Sequence, residues 1–296
     1  MRHFRWSRIF ALWIPALALA LLLAQVPQNR FPARAAPLEK SATEAVERYQ
    51  AFLQLVPRSE KTYRLSAEVA GRAMTETSPY TSNVRIDSRF SSDDFVPDGN
   101  LGKKVWRKAE WVKFDHHMSG RRAFPEAETK VASFWTASQV YFAFWCRYTN
   151  LNIYEGEDPN KERWELWNRD VVEVFINPQP ERVNHYYEFE VSPNNQWIDL
   201  EIDKDKDPFN DASWDSRFEH ATRIDRQKRV WTCEMRIPLR SLGVPAINPN
   251  SEWRLNFYRA DGPGDDSQRR FISWSTIPEG TSFHVPTRFG RIGFVK

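Results

Sequence analysis

Only two cysteines, Cys146 and Cys233, occur among the 296 residues, so the chain closes one disulfide at most and builds no four-cysteine metal centre. Neither has an obvious base near it in the sequence, which argues against a catalytic thiol. Other signatures are missing as well. There is no C-x-x-C-H haem attachment motif, no P-loop, no Ser-His-Asp elbow and no zinc pattern. Internal repeats and low-complexity tracts are absent. No long helical period follows Asp98, which turns the reading toward strands. Basic residues are scattered among acids rather than gathered in a stripe, so no nucleic-acid surface is indicated.

What is present is aromatic and mixed in charge. Hydrophobic residues make up 41% and charged residues 27%, a globular balance. Aromatics reach 14%, with 13 Trp, which favours strands and aromatic contact surfaces. The formal charge of +3 is concentrated at the start. Removing residues 1–35, with their five Arg and no acid, leaves 37 basic against 39 acidic residues and a charge of −2.

That first segment reads as a signal peptide. Arg2, Arg5 and Arg8 precede an apolar run from Ile9 to Val26, and Ala33-Arg34-Ala35 gives a small-x-small cleavage site. An exported protein, periplasmic or extracellular, is expected. Membrane attachment follows only if the segment stays uncleaved. Residues 36–81 read as a helix and linker. Ser41 and Glu44 fit a capping box, and Val46, Tyr49, Phe52 and Leu53 share one helical face.

Residues 82–296 read as one all-β domain. Strands are expected at 83–90, 130–135, 140–148, 170–176, 186–192, 197–202, 230–237, 252–260, 270–275 and 290–295. Many short strands with turns such as "TASQ" and "SPNN" predict an antiparallel β-sandwich, of jelly-roll or immunoglobulin-like type. Alternation assigns faces. Val172, Val174 and Ile176 point inward, with Tyr187, Phe189 and Val191, and with Trp253, Leu255 and Phe257. Glu173, Glu188, Glu190, Asn256 and Tyr258 then point outward. Carboxylate, amide and phenol on one face suit the hydroxyl edges of a sugar, whose flat face an aromatic ring covers. The plainer alternative is a solvated sheet face.

From Asp98 onward the chain resembles the family 9 carbohydrate-binding modules, within the wider DOMON-like group. The matching pieces, in order, are "DGNLGKKVWRKA", "VYFAFWCRYTN", "WNRDVVEVFINP", "YYEFEVSPNNQWIDLEI", "WTCEMRIPLRSLG", "WRLNFYRADG" and "FHVPTRFGRIGF". The resemblance implies a sugar end held between two aromatics, which fall on Trp167 and Phe283, with Glu173 on its hydroxyls. Trp164, Glu190, Asn256 and Tyr258 complete the candidate carbohydrate set. Phe283 stands where the family example has Trp. Glu190 and Ser192 stand where it has Arg and Asn, which removes a cation and puts the ligand in question.

Other chemistries stay open. Asp203, Asp205 and Asp207 crowd one acidic stretch that could hold structural calcium, although Pro208 and Trp214 break the EF-hand pattern. Cys146 and Cys233 form either a disulfide or two buried thiols. His116, His117 and Met118, with His185 and His284, admit a haem-binding, DOMON-type electron-transfer reading. Glu173, Glu188 and Glu190 could supply the carboxylate pair of a glycoside hydrolase. The expectation carried forward is a non-catalytic carbohydrate-binding protein.

Overall fold

The computed structural model describes residues 79–156, 158–159, 161–262 and 268–296. The signal-peptide and capping-box expectations fall outside the described residues. Among those described, no helix is long and apolar enough to cross a membrane.

The described chain is a curled sheet of 13 strands. They are β1 (Arg85–Phe90), β2 (Trp111–Phe114), β3 (Thr129–Trp135), β4 (Gln139–Arg147), β5 (Val171–Asn177), β6 (His185–Val191) and β7 (Trp197–Asp203). There follow β8 (Asn210–Asp211), β9 (Glu219–Asp225), β10 (Val230–Pro238), β11 (Glu252–Asp261), β12 (Arg270–Ser273) and β13 (Gly290–Val295). One short helix, α1 (Lys104–Lys108), precedes β2. Hydrogen bonding runs β8-β7-β6-β5-β11-β13-β1-β3-β4-β10-β9, with β12 attached to β11 and β2 to β3.

The expected antiparallel order needs one correction. Most neighbours are antiparallel, but β1 runs parallel to both β13 and β3. Parallel neighbours need a long connection, and between β1 and β13 that connection is nearly the whole domain. Three strands escaped the sequence reading. β2 and β8 are very short, and β9, "EHATRID", is a half-exposed edge without an apolar face.

The expected inward faces meet in one core. Phe142 and Phe144 of β4 pack against Phe257 of β11, with ring centroids 5.6 and 5.8 Å apart. The two arms of the curled sheet therefore close on each other, with Val172, Val174, Ile176, Phe189 and Leu255 between them. Turns form where side chains replace backbone partners. Thr136 Oγ1 accepts from the Gln139 amide at 3.2 Å, and Asn195 takes a left-handed φ of 68° in the "SPNN" turn.

A charged group closes one end of this core. Arg259 of β11 is fully buried and donates to the Ala127 carbonyl at 2.9 Å, to Thr129 Oγ1 at 3.0 Å and to the Arg147 carbonyl at 2.7 Å. Its guanidinium also pairs with buried Asp261, which accepts from Arg270 Nε at 2.6 Å. Removing the carboxylate would strand a buried cation. Asp261→Ala is therefore expected to cost about 3–5 kcal/mol of unfolding free energy. Urea denaturation measures it, and a loss under about 1 kcal/mol would contradict this account.

Candidate functional site

A cavity of about 460 Å³ opens on the outer face of β5 and β6, away from the main core. Alternation builds its floor. Because Val172 and Val174 are buried in the core, Glu173 between them must face the other way. On β6, Glu188 and Glu190 do the same beside Phe189. The register sets Glu173 opposite Glu190 and Phe175 opposite Glu188. All three carboxyls line the cavity.

This face is not solvated. Glu173, Glu188 and Glu190 are 1%, 3% and 0% exposed. A second apolar cluster covers the sheet around them, including Val171, Phe175, Tyr186, Tyr258 and Phe289. The cover is held from below. Tyr258 donates to the Phe283 carbonyl at 2.8 Å and stacks on the Phe283 ring, centroids 4.2 Å apart and 11° from parallel. Phe283 thus forms a half-buried wall.

Trp167 forms another wall. It lies on a 3-10 turn, Leu166–Asn168, whose buried Leu166 anchors it. Arg269 bonds the carbonyls of Trp167 and, at 3.2 Å, Arg169, so the strand-poor segment before β12 fastens this turn. Arg269 lines the cavity as well, with Phe271, Phe209 and His284. His284 Nδ1 lies 2.8 Å from the Tyr186 hydroxyl, and its Nε2 is 3.9 Å from Glu188. Burial, with Lys204 nearby, pushes this imidazole down to about 4, so it is neutral at physiological pH.

The floor is electrostatically crowded. Burial raises Glu173 well above the usual carboxylate range, Glu188 adds to that, and Arg269 opposes it. Burial raises Glu190 likewise, with Glu173 and Glu188 pushing the same way. Burial also carries Glu188 up to about 7, offset in part by the adjacent Glu190 carboxyl. Among the described residues, Glu173 Oε1, Glu188 Oε2 and both Glu190 oxygens have no hydrogen-bond partner. One oxygen from each residue lies within 4.8 Å of the others, and this is the one such three-ligand grouping among the described residues.

The fold therefore unites Trp167, Phe283, Glu173 and Glu190 in one cavity. The remaining expectations need correction. Trp164 is 47% exposed and does not line the cavity; it meets Trp167 edge-on, centroids 5.0 Å apart. Asn256 is buried, donating to the Ser275 carbonyl and accepting from the Ser275 amide, both at 2.9 Å, so it belongs to no rim. Tyr258 stands behind Phe283. Ser192 is buried and bonds Asn194.

The acidic stretch gathers no compact three-carboxylate grouping among the described residues. Asp203 pairs with Lys206 at 3.2 Å, Asp205 accepts from Asn184 at 2.7 Å, and Asp203 and Asp207 line a different concavity of about 470 Å³. Cys146 and Cys233 are free, buried thiols rather than a disulfide. The histidines have separate commitments: His116 with Asp115 at 2.7 Å, His117 with Ser119 at 2.8 Å and His185 with Glu201 at 2.8 Å. Met118 and His284 both line the cavity, apart from these three histidines. The three glutamates share one wall on paired strands. A glycosidase pair instead flanks the scissile bond.

Glu188, Arg269, Phe271 and His284 were missing from the expected binding set. Glu188 shares the face of Glu190 two residues away, a signal the alternation already carried. Arg269 and Phe271 arrive only through the β11–β12 pairing, which places Phe271 beside Ala260.

An all-β sheet with an aromatic-walled, carboxylate-floored cavity outside its core defines a small-ligand-binding β domain. The chain belongs to the carbohydrate family 9 binding domain-like family, whose profile matches residues 97–296. A curated relative, an "Extracellular protein" of Arthroderma benhamiae, is 24% identical over 206 residues, covering 62% of this chain and 85% of the relative. The fold resembles a family 9 carbohydrate-binding module from Caldicellulosiruptor kristjanssonii in complex with cellotriose. The TM-score is 0.53 at 19% identity, over 72% of this chain and 94% of that one. A module from the same organism in complex with glucose gives a TM-score of 0.53 at 20% identity, over 71% and 95%.

The raised carboxyls make a pH prediction. With its pKa lifted from 4.5 to about 7, folded Glu188 keeps a proton that the unfolded chain releases. Its contribution to stability is complete below 4.5 and is lost as pH rises through about 7. His284 acts with the opposite sign, so the useful quantity is the difference between variant and parent. In metal-free buffer, Glu188→Gln should gain roughly 1–3 kcal/mol on the parent across that window. Denaturation at a series of pH values measures it; parallel curves would mean that Glu188 ionises freely in the folded protein.

Proposed function

We propose that residues 82–296 form an exported, non-catalytic module that takes a sugar or polysaccharide end into the cavity between Trp167 and Phe283. The observation that carries this reading is the union of those two aromatic walls with the buried carboxyls of Glu173 and Glu190. The rings cover the flat C–H faces of a sugar, and carboxylate oxygens without protein partners accept its hydroxyls. The Arthroderma benhamiae relative's description as extracellular supports export. The facing arms of the sheet are read as a β-sandwich of the jelly-roll or immunoglobulin-like kind, and the domain as a member of the wider DOMON-like group.

Glucose and cellotriose, the ligands in the family 9 complexes, are the first probes. They should be followed by a broad polysaccharide and glycan screen on the full chain. Affinity is expected to be modest, because few rings contribute and association carries its own entropy cost. Trp167→Ala should weaken the best ligand by about fivefold, the loss of one aromatic contact of about 1 kcal/mol, without lowering the melting temperature. Isothermal titration calorimetry measures the affinity. A variant that melts normally and binds at full strength would remove Trp167 from the site.

A further inference from the structure

A neutral sugar gives no reason to bury three carboxyls side by side. One carboxylate already accepts two hydroxyls. A second and third beside it add repulsion. Glu173 and Glu190 stand directly opposite on paired strands, an arrangement that disfavours like charges. Glu188 shares that face beside them, and all three are at least nine-tenths buried.

The geometry is that of an ion cradle. One oxygen from each glutamate lies within 4.8 Å of the others. Calcium–oxygen bonds of about 2.3–2.6 Å place opposing ligand atoms up to about 5 Å apart, so one ion reaches all three. Four oxygens of the set lack a hydrogen-bond partner among the described residues: Glu173 Oε1, Glu188 Oε2, Glu190 Oε1 and Glu190 Oε2. They face a cavity wide enough to admit a ligand from outside. Charge points the same way. Among the described residues, Arg269 is the cationic side chain lining the cavity, and it also holds the Trp167 turn. When an ion displaces their protons, the three carboxylates carry more negative charge than this one guanidinium offsets. His284 adds none while neutral.

We propose that Glu173, Glu188 and Glu190 hold one divalent cation of the calcium class on the cavity floor. The ion then offers its remaining coordination positions to neighbouring hydroxyls of the bound sugar. All-carboxylate donors suit a hard cation, and calcium completes its six to eight oxygens with water or ligand hydroxyls. The second half of this proposal rests on the carbohydrate reading; the ion site itself does not. It is distinct from the acidic stretch at Asp203, Asp205 and Asp207.

The test is calcium titration of the full chain after chelation, by calorimetry and by terbium luminescence excited through tryptophan. One ion per chain is expected, with a dissociation constant at or below about 1 mM. Glu188→Gln and Glu190→Gln should each weaken it about tenfold or more, while Asp205→Asn leaves it unchanged. Melting in chelator checks that each variant is folded. The best sugar found by screening is then titrated with calcium and with chelator, and a tenfold or greater loss in chelator is expected. No calcium binding at 10 mM, or full ion affinity in both glutamine variants, would overturn the ion site. Equal sugar affinity in chelator would overturn the bridging role while leaving the carbohydrate reading intact. Calcium bound through the glutamates with no sugar bound would do the reverse for that reading. Glucosamine bound in chelator where glucose is not would show that an ammonium group supplies the countercharge, and would overturn the proposal.

Discussion

Glu173 and Glu190 face each other across the β5–β6 pair, with Glu188 beside them and almost no water. Burying one ionised carboxylate without partners costs several kcal/mol, and neighbouring like charges add to it. The fold accepts that cost at the place where alternation leaves no choice. Val172, Val174 and Phe189 claim the inner face, so the acids must occupy the outer one. The rest of the outer face is arranged around this constraint. Burial lifts Glu173 and Glu190 above the usual carboxylate range, Arg269 approaches from the segment before β12, and aromatic rings wall off the surrounding space.

Those walls depend on packing, not on chain proximity. Phe283 is held by the ring and hydroxyl of Tyr258, from β11. Trp167 is held by buried Leu166 beneath and by Arg269 at its carbonyl. Both aromatics are therefore held from behind, by Tyr258 and Leu166, as a preorganised site requires, while Arg269 both fastens the Trp167 turn and lines the cavity. Tyr258 acts as a support, and its burial explains why it does not reach the rim.

Period-two alternation made the strand faces legible. In "VVEVF" and "YYEFEV" it separates core residues from site residues without reference to any neighbour, and the residues between the arms follow it closely. Family resemblance added Trp167 and Phe283, which no periodicity marks. Strand order was not legible, because it is set by pairings far apart in sequence, such as β11 with β5 and β1 with β13. The same gap hid Arg269 and His284. It also hid the second layer that buries the outer face, so Asn256 read as a rim residue although Ser275 takes its amide. In β9 the alternation itself is missing, since an edge strand half in water needs no apolar face.

The proposed function holds that a cavity joining aromatic rings to carboxyls takes a polar ligand with flat apolar faces. The most direct examination of that claim is a crystal structure of the full chain grown with calcium and the tightest-binding soluble saccharide. The account predicts sugar density between Trp167 and Phe283, above the carboxyls of Glu173, Glu188 and Glu190. Saccharide bound at any other surface, with this cavity filled by water alone, would contradict it.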